Sequence, residues 1–154
     1  MLRDLTPRKA IEFAVKTEES GAIFYRKMAR RLADDREIYD VFMQLAEDED
    51  RHKAQFEALM EKVPQEFAYK SQRERLAVLR ATSMSEFFLS EDGVFRDLES
   101  IRTREDALIR ALRLEKDTLS YYQAMRDLLG ENGTVDAMIQ AERNHIETLL
   151  VRMA

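Results

Sequence analysis

A chain of 154 residues with 36% charged side chains, only 4 Gly and 2 Pro, and a net charge of −5 fits one all-α domain, 1–154, large enough to bury a core. Interleaved acidic and basic side chains exclude a nucleic-acid surface, and no apolar run reaches the roughly 20 residues of a membrane span. The absence of cysteine excludes disulfides, iron–sulfur clusters and Cys-ligated zinc or iron, so any metal must take nitrogen and oxygen donors.

Residues 1–6 lack the apolar stretch of a signal peptide, and a cytoplasmic location is expected. The first helix is predicted over about 7–32, with Thr6 as N-cap and Pro7 at the first helical position. Its apolar stripe is Ile11, Val15, Ala22, Tyr25, Ala29 and Leu32, with Glu18 on the same line. The second helix, about 35–63, starts near Asp34 or Asp35 and must stop before Pro64. Its stripe reads Ile38, Phe42, Leu45, Glu49, His52, Phe56, Leu59 and Val63, so a Glu and a His interrupt an apolar seam.

Residues 64–103 are less regular, with short helices expected over Glu74–Arg80 and Met84–Ser90 before Gly93, and read as a crossover connection. Thr103 caps a third helix over about 104–129, which ends at Gly130. Its stripe is Leu108, Leu112, Glu115, Leu119, Tyr122 and Leu129. Thr134 is the expected cap of the last helix, about 134–153, with stripe Val135, Met138, Glu142, His145, Leu149 and Met153. The same polar interruption occurs in all four helices.

A repeat underlies this pattern. Shifting the first helix by 97 residues lays Ile11 on Leu108, Glu18 on Glu115 and Tyr25 on Tyr122; shifting the second by 93 lays Glu49 and His52 on Glu142 and His145. The chain therefore reads as two related helix pairs forming an antiparallel four-helix bundle, with a long crossover between helices 2 and 3.

On a helix, residues three apart share a face, so Glu49 with His52 and Glu142 with His145 each aim one carboxylate and one imidazole at one point. Four ionised carboxylates in a core need compensation, and two divalent cations balance Glu18, Glu49, Glu115 and Glu142 while His52 and His145 bind as neutral ligands. Thiolate-free sites of this kind suit iron or manganese, or a mixed pair; raw affinity alone favours zinc or copper, so metal supply decides, and zinc is an alternative occupant in protein as purified. Glu19, Glu47, Asp48 and Asp50 fall off the stripes and are read as solvated or as supporting the ligands. Tyr25 and Tyr122, two turns beyond Glu18 and Glu115, are candidates to bond a ligand carboxylate from another helix. Gly21, one turn after Glu18, is expected to leave space for an oxidant beside the metals.

The segments Glu18 to Tyr25, Leu45 to His52, Leu114 to Tyr122 and Glu142 to His145 together resemble the rubrerythrin branch of the ferritin-like di-iron proteins. The resemblance implies a ferritin-like fold, two irons held by Glu18, Glu49, His52, Glu115, Glu142 and His145, reaction with peroxide or dioxygen, and a homodimer. It further implies that Glu49 and Glu142 bridge the irons. Typical members carry a cysteine-rich rubredoxin domain and an extra glutamate on the third helix. This chain has no cysteine and has Thr118 at the latter position, so electrons are expected from an external donor such as a rubredoxin. The same ligand set is compatible with a bacterioferritin-like ferroxidase that stores iron and with a non-enzymatic iron-binding protein.

Overall fold

The computed structural model describes residues 6–63, 73, 76, 80 and 95–154, and all regular structure among them is helical. Helix α1 spans Pro7–Arg31. The Thr6 hydroxyl accepts from the Lys9 amide at 3.2 Å, and Pro7 takes a position whose missing N–H costs nothing. Helix α2 spans Arg36–Met60, capped by Asp35, whose carboxylate accepts from the Ile38 amide at 3.2 Å. It stops three residues short of Val63, because the Lys62 and Val63 amides turn back tightly onto the Leu59 and Met60 carbonyls.

Helix α3 spans Arg104–Leu129, with Thr103 accepting from the Asp106 amide and Gly130, at φ 73°, closing the far end. Helix α4 spans Gly133–Met153. Its cap is Asn132 and not Thr134: the Asn132 side-chain oxygen reaches the Thr134 and Val135 amides, both at 3.1 Å, and so starts the helix a residue early. Leu76 and Arg80, within the expected Glu74–Arg80 helix, are helical; the expected Met84–Ser90 helix and Gly93 lie outside the described residues. A short 3₁₀ turn, Leu98–Ser100, precedes α3, and Arg31 ties it down by donating to the Leu98 and Ile101 carbonyls.

The pairs α1–α2 and α3–α4 are each closed by a short turn, hence antiparallel. The Tyr121 hydroxyl donates to the Ala10 carbonyl at 2.6 Å, and Tyr25 reaches Glu115, so α1 and α3 also run oppositely. Arg104 donates to Asp35 at the start of α2 and to the Arg152 carbonyl at the end of α4. Thus α2 and α3 point the same way, so the end of α2 and the start of α3 lie at opposite ends of the bundle, as a four-helix bundle with a long crossover requires.

Two apolar clusters fill the interior. One gathers Ile11, Phe56, Tyr122, Met125, Val135 and Met138; the other gathers Phe24, Tyr25, Met28, Phe42, Leu108 and Leu149. Repeat partners fall in opposite clusters, Ile11 against Leu108 and Tyr122 against Tyr25, so an approximate twofold relates the helix pairs and exchanges the two ends. The aliphatic stripes drawn from sequence are partly displaced: Val15, Leu32, Val63, Leu112, Leu119 and Leu129 are only half-buried and Met153 is exposed. Alanines at 10, 14, 107, 111 and 124 occupy the innermost positions, where helices approach too closely for larger side chains. Of the neighbouring helix pairs α2 and α4 pack most loosely, leaving a groove of about 500 Å³ between them. No helix among the described residues is long and apolar enough to cross a membrane.

Candidate metal centre

Between the two apolar clusters lies a belt of buried polar side chains contributed by all four helices. Glu18 comes from α1, Glu49 and His52 from α2, Glu115 from α3, and Glu142 and His145 from α4. The i, i+3 spacing brings each Glu and His of α2 and α4 inward together, and the antiparallel packing sets the two pairs face to face. The imidazoles stack with centroids 5.6 Å apart and planes 24° from parallel.

The donor atoms form two overlapping groups. Glu18, Glu49, His52 and Glu142 make one; Glu49, Glu115, Glu142 and His145 make the other; within each, the atoms lie no more than 4.8 Å apart. His52 Nδ1 is 3.5 Å from Glu18 Oε2 and 3.7 Å from Glu142 Oε1. His145 Nδ1 is 3.4 Å from Glu115 Oε2 and 3.7 Å from Glu142 Oε2. Glu49 and Glu142 belong to both groups.

Most buried polar atoms find a hydrogen-bond partner. Here Glu18 Oε2, Glu115 Oε2, both Glu142 carboxylate oxygens and both histidine Nδ1 atoms are buried without one. Six unpartnered donors converging on two points are what ligand atoms look like without their ion, and four carboxylates with two neutral imidazoles match the charge of two divalent cations. The oxygen and nitrogen donor set fits iron or manganese.

Electrostatics express the same incompleteness. Burial, then the charges of neighbouring carboxylates, push Glu49 and Glu142 well above the ordinary carboxylate range. Burial alone would lower the His145 pKa, but the adjacent Glu115 and Glu142 outweigh it and raise His145 to about 11. Burial also opposes ionisation of Glu115, yet the neighbouring Glu142 and His145 and the bond from Tyr25 bring it down to about 2. The metal-free cluster thus holds protons that cations would displace.

Crossed tyrosines brace the belt. Tyr25 of α1 donates to Glu115 Oε1 of α3 at 2.5 Å, and Tyr122 of α3 donates to Glu18 Oε1 of α1. Each bond takes one oxygen of a carboxylate and leaves the other facing inward. Burial and nearby carboxylates raise both phenols well above their usual pKa, so they stay protonated donors. Gly21 has a different role from the expected one: a Cβ built there would lie 3.2 Å from Glu49 Cδ and Oε2, so the glycine makes room for a carboxylate. Glu19, Glu47 and Asp50 are exposed, Glu19 facing Lys53 and Asp50 pairing with Arg26. Asp48 sits instead at the rim, where its Oδ2 is 3.1 Å from His145 Nε2. Its place directly before Glu49 was the available signal, but only the width of the α2–α4 groove decides that it reaches the opposite helix.

Residues 9–93, more than half of the chain, match the Rubrerythrin family. The chain belongs to the rubrerythrin family. The matched span contains Glu18, Glu49 and His52; the fold brings Glu115, Glu142 and His145 of the remaining two helices to the same belt. No curated protein and no solved structure matches the chain. Family membership and the buried Glu/His cluster together mark a ferritin-like protein with a candidate metal site.

Proposed function

We propose that this rubrerythrin-family chain is a di-iron oxidoreductase that oxidises Fe(II) and reduces peroxide or dioxygen, taking electrons from an external donor such as a rubredoxin and working as a homodimer. The observation that carries this reading is the pair of four-residue donor groups sharing Glu49 and Glu142, in which inward atoms of Glu18, His52, Glu115, Glu142 and His145 are otherwise unpartnered. Iron bound there supplies one-electron redox chemistry and Lewis acidity toward a small oxygen species. The protein supplies the rest. Glu18 and His52 hold one position and Glu115 and His145 the other, while the tyrosine bonds fix the two terminal carboxylates against rotation. The apolar clusters above and below exclude bulk water, and the α2–α4 groove, lined by His52 and His145, gives a small polar oxidant a way in.

Anaerobic titration of the metal-free protein with Fe(II) tests the reading. Two irons per chain are expected, followed by ferric near-ultraviolet absorption on adding peroxide or dioxygen. Because Glu142 serves both positions, Glu142→Gln is expected to remove both irons and Glu18→Gln only one. A protein that takes up no Fe(II), or one in which Glu142→Gln still holds two, contradicts the proposal.

A further inference from the structure

The twofold relation between the helix pairs fails at one telling place. His145 Nε2, on the edge facing the groove, lies 3.1 Å from Asp48 Oδ2. Asp48 is itself anchored, its Oδ1 accepting from Gln44 Nε2 at 3.1 Å and pairing with Arg51. A shift of 93 residues places Ala137, Ala141 and Asn144 where Gln44, Asp48 and Arg51 stand. The counterpart of the Asp48 carboxylate is therefore the methyl group of Ala141, which lines the same groove as His52. Among the described residues, His52 has no bond of this kind.

A neutral imidazole carries one N–H and one lone pair, and a hydrogen bond at one nitrogen decides which is which. Both histidines direct Nδ1 to the belt, so a ligand role requires the proton on Nε2. Asp48 accepts that proton's hydrogen bond for His145, fixes its ring and makes Nδ1 a better donor. His52 has to choose its tautomer and orientation unaided. Loss of a carboxylate behind a ligating histidine costs about 10–100-fold in metal affinity.

We propose that Asp48 makes the two metal positions unequal: the position at Glu49, Glu115, Glu142 and His145 fills before the position at Glu18, Glu49, His52 and Glu142, by a preference of about 10–100-fold. This rests on the metal-binding reading above and adds an order of filling to it. Asp48 acts here as a positioning residue through His145, and Ala141 is the position that sets the weaker half.

The test is Zn(II) titration of the full chain, with Zn(II) as a diamagnetic stand-in for Fe(II), followed by NMR of ¹⁵N-labelled histidine. At one equivalent, the metal-bound Nδ1 signal should belong to His145 with a slowly exchanging Nε2–H, and His52 should respond only to the second equivalent. Asp48→Ala should even out or reverse this order, Asp48→Asn should retain part of it, and Ala141→Asp should strengthen His52 toward equality. Because Ala141→Asp leaves the Asp48 bond intact, it carries the test if Asp48→Ala does not fold. Equal or His52-first filling in the wild type, or an order unmoved by both Asp48→Ala and Ala141→Asp, overturns the inference while leaving a two-metal site standing. A wild type that binds no metal overturns the underlying reading as well.

Discussion

Gly21 shows how much the centre depends on single atoms. Alanine there would gain about 1 kcal/mol of helix propensity, but its Cβ would press on Glu49, the carboxylate common to both donor groups. Gly21→Ala is therefore expected to weaken metal binding about 10-fold, as displaced ligands commonly do. The readout is the gap in Tm between metal-loaded and metal-free protein, which should shrink; an unchanged gap would show that Glu49 yields freely. Protonation acts at the same scale. The metal-free protein keeps a proton on His145 up to about pH 11 and on Glu49 and Glu142 well above their ordinary 4.5, protons an unfolded chain has lost by neutral pH. Stability from these groups is full in acid and lost as pH rises, whereas that from Glu115, at about 2, is present above 4.5 and lost as pH falls through 2. Metal takes the deprotonated forms, so affinity should rise with pH. Melts from about pH 5 to about pH 9 should show the metal-free Tm falling while the metal-induced gap widens; a narrowing gap would contradict the assignment.

At the scale of the element, caps separate what can be read from a sequence from what cannot. Thr6 and Thr103 are the caps expected before their periodic runs, Asp35 is one of the two aspartates expected before the second, and each caps its helix. Before α4 the chain offers both Asn132 and Thr134, and only the backbone path chooses between them. Asn132→Ala should cost about 1 kcal/mol, or roughly 2–4 °C in Tm, while Thr134→Ala should stay within about 0.5 kcal/mol. Thermal melts of the two variants check this, and equal losses would contradict the cap assignment. The six donors were legible because each breaks an apolar stripe and the breaks repeat in register. The stripes were less so: Leu112 and Leu119 lie beside the seam, and Ala107 and Ala111 lie in it, because close helix approach selects for small volume as well as apolarity. Asp48 was legible only as one of four acidic residues that could be solvated or support the ligands, since its partner lies across a gap that no spacing along α2 encodes.

At the scale of the molecule, the crossing of repeat partners between the two apolar clusters means that each end of the bundle is built from halves of both helix pairs. Neither pair can leave without opening both ends. Among the described residues the belt between them is the layer where packing gives way to polar groups, and without cations it is left with buried carboxylate and imidazole atoms that have no partner. Helices ordinarily fray from their termini inward. Here the expectation for metal-free protein is the reverse: amide hydrogens near Glu18, Glu49, Glu115 and Glu142 should exchange with solvent faster than those two turns to either side, beside Ile11, Phe42, Phe56 and Leu108. Hydrogen–deuterium exchange with and without metal would read this directly, and protection highest at the belt in the metal-free state would speak against it. A protein with this profile opens at its waist, so the loss of its metals would be felt first as local loosening at the mid-points of four helices whose ends still hold.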